Sequence, residues 1–198
     1  MNLPNLLTLS RIFILFVIAG LLYVPSRGAA TVAFLLFLLA GVTDWLDGYI
    51  ARKSNIVTNF GKLMDALTDK ILIVGMFITL LATDLVPAWA IILVLLIVSR
   101  EFLITGLRLV AASNGTVLAA EKSGKQKTVS QIVCISVLLA APALRLDIAG
   151  WTGWQLEAFA DWIHHIGMAI FLFAAIMTVY SGGRYLAKYW PLIVDAKE

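Results

Sequence analysis

Residues 44–69 decide the fold and chemistry of this chain, because they place four aspartates at helical spacing in an otherwise apolar sequence. They read DWLDGYIARKSNIVTNFGKLMDALTD. Asp44 and Asp47 are three residues apart, and Asp65 and Asp69 are four apart. Both spacings put the two carboxylates of a pair on one face of a helix. Since ionisable groups in membrane helices normally face a polar cavity, the segment predicts two helices that direct four carboxylates toward one site.

The composition predicts an all-α integral membrane protein. Of the 198 residues, 61% are hydrophobic and 14% are charged, whereas soluble domains are roughly 25% charged. A membrane-spanning helix needs about 20 mostly apolar residues, and polar breaks divide the chain into six such segments. We therefore predict one membrane domain, residues 1–198, with spans at Leu3–Tyr23, Thr31–Ala51, Ala66–Thr83, Pro87–Ala112, Thr128–Leu144 and Asp161–Ser181.

The distribution of basic residues predicts the orientation of these six spans. An even number of spans puts both termini on one side of the membrane. Only Arg27 and Arg145 fall in the loops of the opposite side, and the other basic residues lie toward the termini. Because basic residues accumulate in cytoplasmic loops, we expect a multi-pass protein of the cytoplasmic (inner) membrane with both termini in the cytoplasm. Asp44 ends the apolar part of the second span, which places the acidic site at the cytoplasmic face.

The acidic segment favours divalent cations and a diphosphate ligand. Four clustered carboxylates repel one another, and two divalent cations would compensate their charge and bridge phosphate oxygens. Oxygen ligands favour Mg²⁺ or Mn²⁺. Gly48, Ala51 and Gly61 would let a ligand approach the backbone, and the fork of Arg52 suits a diphosphate. The alternative is that the glycines only pack helices and that Arg52 only marks topology.

The pattern Asp-x2-Asp-Gly-x2-Ala-Arg-x8-Gly-x3-Asp-x3-Asp resembles the signature of the CDP-alcohol phosphatidyltransferase family. The resemblance implies six transmembrane helices, a homodimer, and two divalent metals that serve transfer of a phosphatidyl group from a CDP-linked lipid to an alcohol. The stretches at residues 4–11, 100–108 and 124–128 are similar to one branch, the phosphatidylglycerophosphate synthases. That branch implies CDP-diacylglycerol as the donor and glycerol 3-phosphate as the acceptor.

The resemblance also assigns roles to individual residues. Asp69 would act as the catalytic base that takes the proton of the acceptor hydroxyl. The metal ligands would be Asp44, Asp47, Asp65 and Asp69. The residues that contact the CDP-lipid would be Asn5, Thr8, Gly48, Ala51, Arg52, Thr58 and Gly61.

Basic residues on the cytoplasmic side predict an anionic acceptor. Arg11, Arg108, Lys125 and Lys127 could bind its phosphate, which an uncharged alcohol would not require. The alternative is that they only mark topology. We expect Glu101 to orient Arg108 or Arg11 and Arg100 to meet another acid. Gly182 and Gly183 predict the end of the last helix.

The predicted function is therefore transfer of a phosphatidyl group from CDP-diacylglycerol to glycerol 3-phosphate, with CMP as the second product. Two alternatives stay open. One is a member of the same family with another acceptor, such as an inositol phosphate or cardiolipin-type synthase. The other is a divalent-cation transporter with paired acids along its path. Nucleic acid is not an expected partner, because the basic residues flank membrane segments, where we expect contact with membrane lipid.

Overall fold

The computed structural model describes residues 3–24, 26–53, 59–113, 118 and 122–194. Within them, it describes the side chains of residues 10–24, 26–43, 67–112, 118 and 124–190. The described residues are mostly helical and contain no β-strand. This confirms the all-α class expected from the composition.

Six long helices and one short helix make up the described chain. A 3-10 turn at Ala88–Ala90 leads into the fourth helix, and a π-helical segment at Ala143–Ile148 follows the fifth without a break. The helices are α1 Leu3–Tyr23, α2 Ala29–Lys53, α3 Asn59–Ala82, α4 Ile91–Ser113, α5 Lys122–Pro142, α6 Ala149–Thr152 and α7 Glu157–Val194.

The outer surface of the bundle is apolar, as in a membrane protein. Phe13, Phe16 and Ile92 are 71%, 69% and 65% exposed. Among the side chains described, three helical stretches are long and apolar enough to cross a membrane: Ala88–Ala112, Gly124–Thr152 and Glu157–Trp190. Ser10–Tyr23 and Ala29–Thr43 are shorter apolar helices. Exposed apolar side chains on long helices indicate a protein that lies in lipid.

One end of the bundle, here called the turn end, holds the α1–α2 turn, the C-terminus of α3 and the π segment. The Tyr23 hydroxyl donates a hydrogen bond to the Ala82 carbonyl (3.4 Å). The buried Asp147 carboxylate accepts hydrogen bonds from the backbone N–H groups of Gly28 and Thr31, both at 2.7 Å. Asp147 thus caps the N-terminus of α2 from another element. The opposite end, where α3 begins and α4 ends, is called the site end.

All six long helices contribute buried side chains to the core. Phe77 and Phe171 pack with ring centroids 5.8 Å apart. Gly167 lets α7 approach α5 closely, because a Cβ there would lie 3.3 Å from the Leu138 backbone nitrogen. The two helices that approach closely here, α5 and α7, also contribute residues to the cavity described below.

The third helix begins at Asn59, before the span predicted from Ala66, so that Asp65 lies well inside it. One sequence-based helix limit is wrong. The last helix does not end at Gly182 and Gly183 but continues to Val194. A Cβ on Gly182 would lie 2.7 Å from Arg100 Cγ, so this glycine serves a close helix contact. Hydropathy marks only the apolar part of a helix, and a helix can extend beyond it.

Candidate functional site

A cavity of about 380 Å³ opens at the site end between α3, α4, α5 and α7. Among the side chains that the structure describes, five basic and two acidic residues line it, an excess of three formal positive charges. The charged lining residues are Asp69, Lys70, Arg100, Glu101, Arg108, Lys125 and Lys127. A cavity with this charge favours an anionic ligand.

The structure brings the C-terminal member of the acidic motif into contact with this cavity. Asp69 is half-buried on α3 and lines the cavity wall. The α2 helix runs without a break through Asp44 and Asp47, and α3 runs through Asp65 and Asp69. This confirms that each pair lies on one helix, and its spacing puts it on one face. The side chains of Asp44, Asp47 and Asp65 lie outside the described side chains.

The residues predicted to contact the CDP-lipid donor also lie outside the described side chains. Asn5 and Thr8 lie on α1, Gly48, Ala51 and Arg52 on α2, and Gly61 on α3, but their side-chain surroundings are not described. Thr58 lies outside the described residues. The roles of these residues in binding the CDP-lipid stay predictions.

Three of the four residues predicted to bind the acceptor phosphate line the same cavity. Arg108 near the end of α4 and Lys125 near the start of α5 are exposed, whereas Lys127 is only 3% exposed. Arg11 on α1 is 1% exposed and does not line this cavity. The cavity therefore unites cations from two helices that are separated along the chain.

An ion network connects the wall of the cavity. Glu101 accepts a hydrogen bond from the Lys127 ammonium group. Its Oε1 atom also lies 3.5 Å from Arg100 Nη1, and Arg100 Nη2 donates to the Ser181 hydroxyl at 3.1 Å. The expectation that Glu101 orients Arg108 or Arg11 is therefore wrong, and the acid that Arg100 meets is Glu101 itself rather than another acid. The packing of α4, α5 and α7 decides which side chains pair with Glu101 and Arg100, and the sequence alone does not reveal that packing.

Sequence reasoning missed four polar residues of the wall: Lys70, Gln131, Ser181 and Tyr185. The amide Nε2 of Gln131 donates to the Thr178 hydroxyl at 3.2 Å, and Thr178 donates to the Ala174 carbonyl. Gln131 and Thr178 are both buried. The available signal was a polar side chain inside an apolar helix, since such groups need an internal partner.

The donor set of the acidic motif fits divalent metal ions. No group of three metal-binding side chains occurs among the side chains described, and three of the four aspartates lie outside that part of the chain. The carboxylates stand on α2 and α3, which are consecutive along the chain, and carboxylate oxygens are ligands that Mg²⁺ and Mn²⁺ prefer. One of these carboxylates, that of Asp69, lines the cationic cavity.

The apolar bundle and its cationic cavity define a membrane protein with a polar site at one end of its helices. The sequence model described as CDP-alcohol phosphatidyltransferase matches residues 1–181. The chain belongs to the CDP-alcohol phosphatidyltransferase family, which generally uses divalent metals. This confirms the family inferred from residues 44–69.

Curated relatives match nearly the whole chain. The CDP-diacylglycerol–glycerol-3-phosphate 3-phosphatidyltransferase of Bacillus subtilis (strain 168) is 42% identical over 204 residues, with 97% of each chain covered. The protein of the same name from Rickettsia felis is 39% identical and covers 96% of this chain and 97% of its own. The one from Salmonella choleraesuis is 32% identical, with 94% and 93% covered.

Proposed function

We propose that this protein transfers the phosphatidyl group of CDP-diacylglycerol to glycerol 3-phosphate, giving phosphatidylglycerophosphate and CMP. The observation that carries the proposal is the 42% identity, over 97% of both chains, to a relative named for this reaction. The cationic cavity beside Asp69 supports it, because an acceptor that carries a phosphate needs such donors.

In the proposed reaction the acceptor hydroxyl attacks the lipid-side phosphorus of the donor in line with the leaving group. The new bond joins the glycerol oxygen to phosphorus, the bond from phosphorus to the CMP oxygen breaks, and Asp69 takes the hydroxyl proton. Arg108, Lys125 and Lys127 hold the acceptor phosphate in the cavity, which directs the hydroxyl toward Asp69.

Asp44, Asp47, Asp65 and Asp69 would hold two divalent cations, Mg²⁺ or Mn²⁺. When bound, these ions neutralise negative charge on the diphosphate. Gly48, Ala51 and Gly61 leave room for the nucleotide, and Arg52 binds its phosphates, with further contacts from Asn5, Thr8 and Thr58. Arg11 contributes to acceptor binding in this proposal, although its side chain is buried away from the described cavity wall.

The proposed topology is six membrane spans with the site end and both termini in the cytoplasm, in the inner membrane. The hydrogen bonds that join the α1–α2 turn to Ala82 and Asp147 support it, because they bring the predicted outer loops to one end. The cavity lies at the other end, where an amphiphilic donor can keep its acyl chains in lipid. The homodimer stays a prediction, since the apolar outer faces suit lipid and a second subunit equally.

The experiment that tests the function is CMP release by purified protein in vesicles that contain CDP-diacylglycerol and Mg²⁺. We expect release with glycerol 3-phosphate and little with glycerol, inositol, inositol phosphate or phosphatidylglycerol. Release with inositol phosphate or phosphatidylglycerol in its place would favour another member of the family. Metal uptake without CMP release would favour the divalent-cation transporter. The sequence speaks against that alternative, because residues 71–82 of α3 contain no acidic residue that could continue an ion path across the membrane.

A further inference from the structure

The ion pair between Glu101 and Lys127 stands apart from the acidic motif. Glu101 is 6% exposed and Lys127 is 3% exposed. They come from α4 and α5, and their pair lines the cavity rather than the helix core. The same carboxylate oxygen lies 3.5 Å from Arg100 Nη1. One acid on the wall therefore serves two cations.

Stability alone does not account for this pair. Removing two charges from water costs several kcal/mol for each ion, and an apolar pair of similar size is often as stable. What such a pair achieves is position, since the carboxylate fixes where the ammonium nitrogen lies. Without Glu101, the buried Lys127 would be left near Arg100, whose like charge repels it, with Asp69 as the acid that still attracts it.

The hydrogen-bonding capacity of the two cations is larger than their described contacts use. A lysine ammonium group has three N–H donors and a guanidinium group has five. Lys127 directs one donor to Glu101, while Arg100 directs one to Ser181 and one toward Glu101. Each cation can therefore keep its protein partner and still donate to a phosphate that enters the cavity.

We propose that Glu101 is a positioning residue for the acceptor, which holds Lys127 and Arg100 in place so that the acceptor's phosphate meets a preformed set of donors. This inference rests on the proposed function and deepens it. Glu101 itself does not touch the phosphate, because two anions would repel. It acts through the two cations that it fixes.

The test compares Glu101→Gln with Glu101→Asp in the full-length protein in vesicles. Glu101→Gln should raise the KM for glycerol 3-phosphate about tenfold, on the scale of one lost charge-assisted hydrogen bond, and change the KM for CDP-diacylglycerol less than about twofold. Glu101→Asp, which keeps the charge, should recover most of the loss. Glu157→Gln, an exposed acid at the start of α7, is the control and should behave as the wild type.

Equal changes in both KM values, or none, would overturn the proposal. If Glu101→Gln does not fold, Glu101→Gln/Lys127→Gln removes both buried charges together and should fold with the acceptor KM still raised. A normal acceptor KM in that double variant would contradict the positioning role.

A binding measurement separates this inference from the proposed function. Inorganic phosphate should stabilise the wild-type protein against thermal unfolding, relative to chloride at equal ionic strength. The Glu101→Gln protein should need about ten times more phosphate for the same rise in unfolding temperature. This readout does not depend on which alcohol the protein uses. Equal phosphate stabilisation of both proteins would overturn the inference even if glycerol 3-phosphate is the acceptor. Absence of CMP release with glycerol 3-phosphate would refute the proposed function but not the role of Glu101 in phosphate binding.

Discussion

At the scale of single residues, Asp69 is the point where the acidic motif meets the cationic cavity. Asp69 lies on α3 close enough to Lys127 for their opposite charges to attract each other. It lines the same cavity as Arg108 of α4. A carboxylate in this position can accept a proton from a hydroxyl that is held by its phosphate among the cations. The two functions proposed for the site, proton transfer and phosphate binding, thus fall on neighbouring side chains.

We predict that Asp69→Asn lowers the rate of CMP release by at least about a hundredfold, the lower scale of general-base catalysis. Donor binding should change much less, because the amide keeps the shape of the side chain and three aspartates remain. Turnover and binding of CDP-diacylglycerol should be measured on the same preparation. Asp84→Asn, in the turn after α3, is the control. Near-normal turnover in Asp69→Asn would refute the role as base.

We predict that Arg108→Ala raises the KM for glycerol 3-phosphate at least about tenfold, the effect of about 1.4 kcal/mol. The KM for CDP-diacylglycerol should rise far less. Arg108 is exposed, so its loss should leave thermal stability almost unchanged. Arg27→Ala removes an exposed arginine at the turn end and should change neither KM value. Equal rises for both substrates would count against the acceptor site.

At the scale of elements, the continuation of α7 past Gly182 brings Ser181 and Tyr185 to the cavity. Sequence alone favoured a helix end at Gly182 and Gly183, since two glycines weaken a helix. The structure instead uses the missing side chain of Gly182 to admit Arg100, whose Cγ atom would lie 2.7 Å from an added Cβ. Gly183 has open space around it. The two glycines therefore have different roles.

We predict that Gly182→Ala lowers kcat/KM for glycerol 3-phosphate several-fold, because the new methyl group displaces Arg100 and weakens its bond to Ser181. Gly183→Ala is the matched control. It should leave the kinetics unchanged and raise helix stability slightly, by up to about 1 kcal/mol. Steady-state kinetics and thermal unfolding of the two variants would check both statements. Identical behaviour of the two would contradict the proposed contact.

Two hydrogen bonds from the N-terminal end of α2 to the buried Asp147 carboxylate join distant segments at the turn end. We predict that Asp147→Ala lowers stability by about 1–3 kcal/mol for each backbone donor that loses its partner. The KM values should not change, because the site lies at the other end. Asp161→Asn, which removes an exposed partner of Arg145, should have little effect on the unfolding temperature in detergent. An unaltered unfolding temperature in Asp147→Ala would refute the capping role.

At the scale of the whole molecule, the sequence predicted the kind of protein better than the limits of its helices. The paired aspartates and the apolar segments were sufficient for the family and the all-α class, because both depend on local spacing. The pairing of Glu101 with Lys127 and the cap by Asp147 depend on tertiary packing between distant segments. No local pattern specifies which donors an acid will meet, so these contacts could only come from the structure.

The arrangement of the two ends leads to a prediction about orientation. The α7 helix has 38 residues, a length of about 57 Å at 1.5 Å per residue. The hydrocarbon core of a bilayer is about 30 Å thick, so the two ends of α7 must lie in water or headgroups on opposite sides if this helix spans the membrane. Residues of the turn end and residues late in α7 should then be accessible from different compartments.

Single cysteines would test this orientation in a Cys134→Ala background, which removes the buried native thiol. Ser26→Cys and Thr152→Cys lie exposed at the turn end, and Ala187→Cys is exposed late in α7. In spheroplasts, a membrane-impermeant maleimide should label the first two but label Ala187→Cys only after the membrane is permeabilised. Labelling of all three from outside would contradict the spanning arrangement. Labelling of Ala187→Cys alone would reverse the orientation and put the cavity on the side opposite to the cytoplasm, where a nucleotide-linked lipid made inside the cell could not reach it.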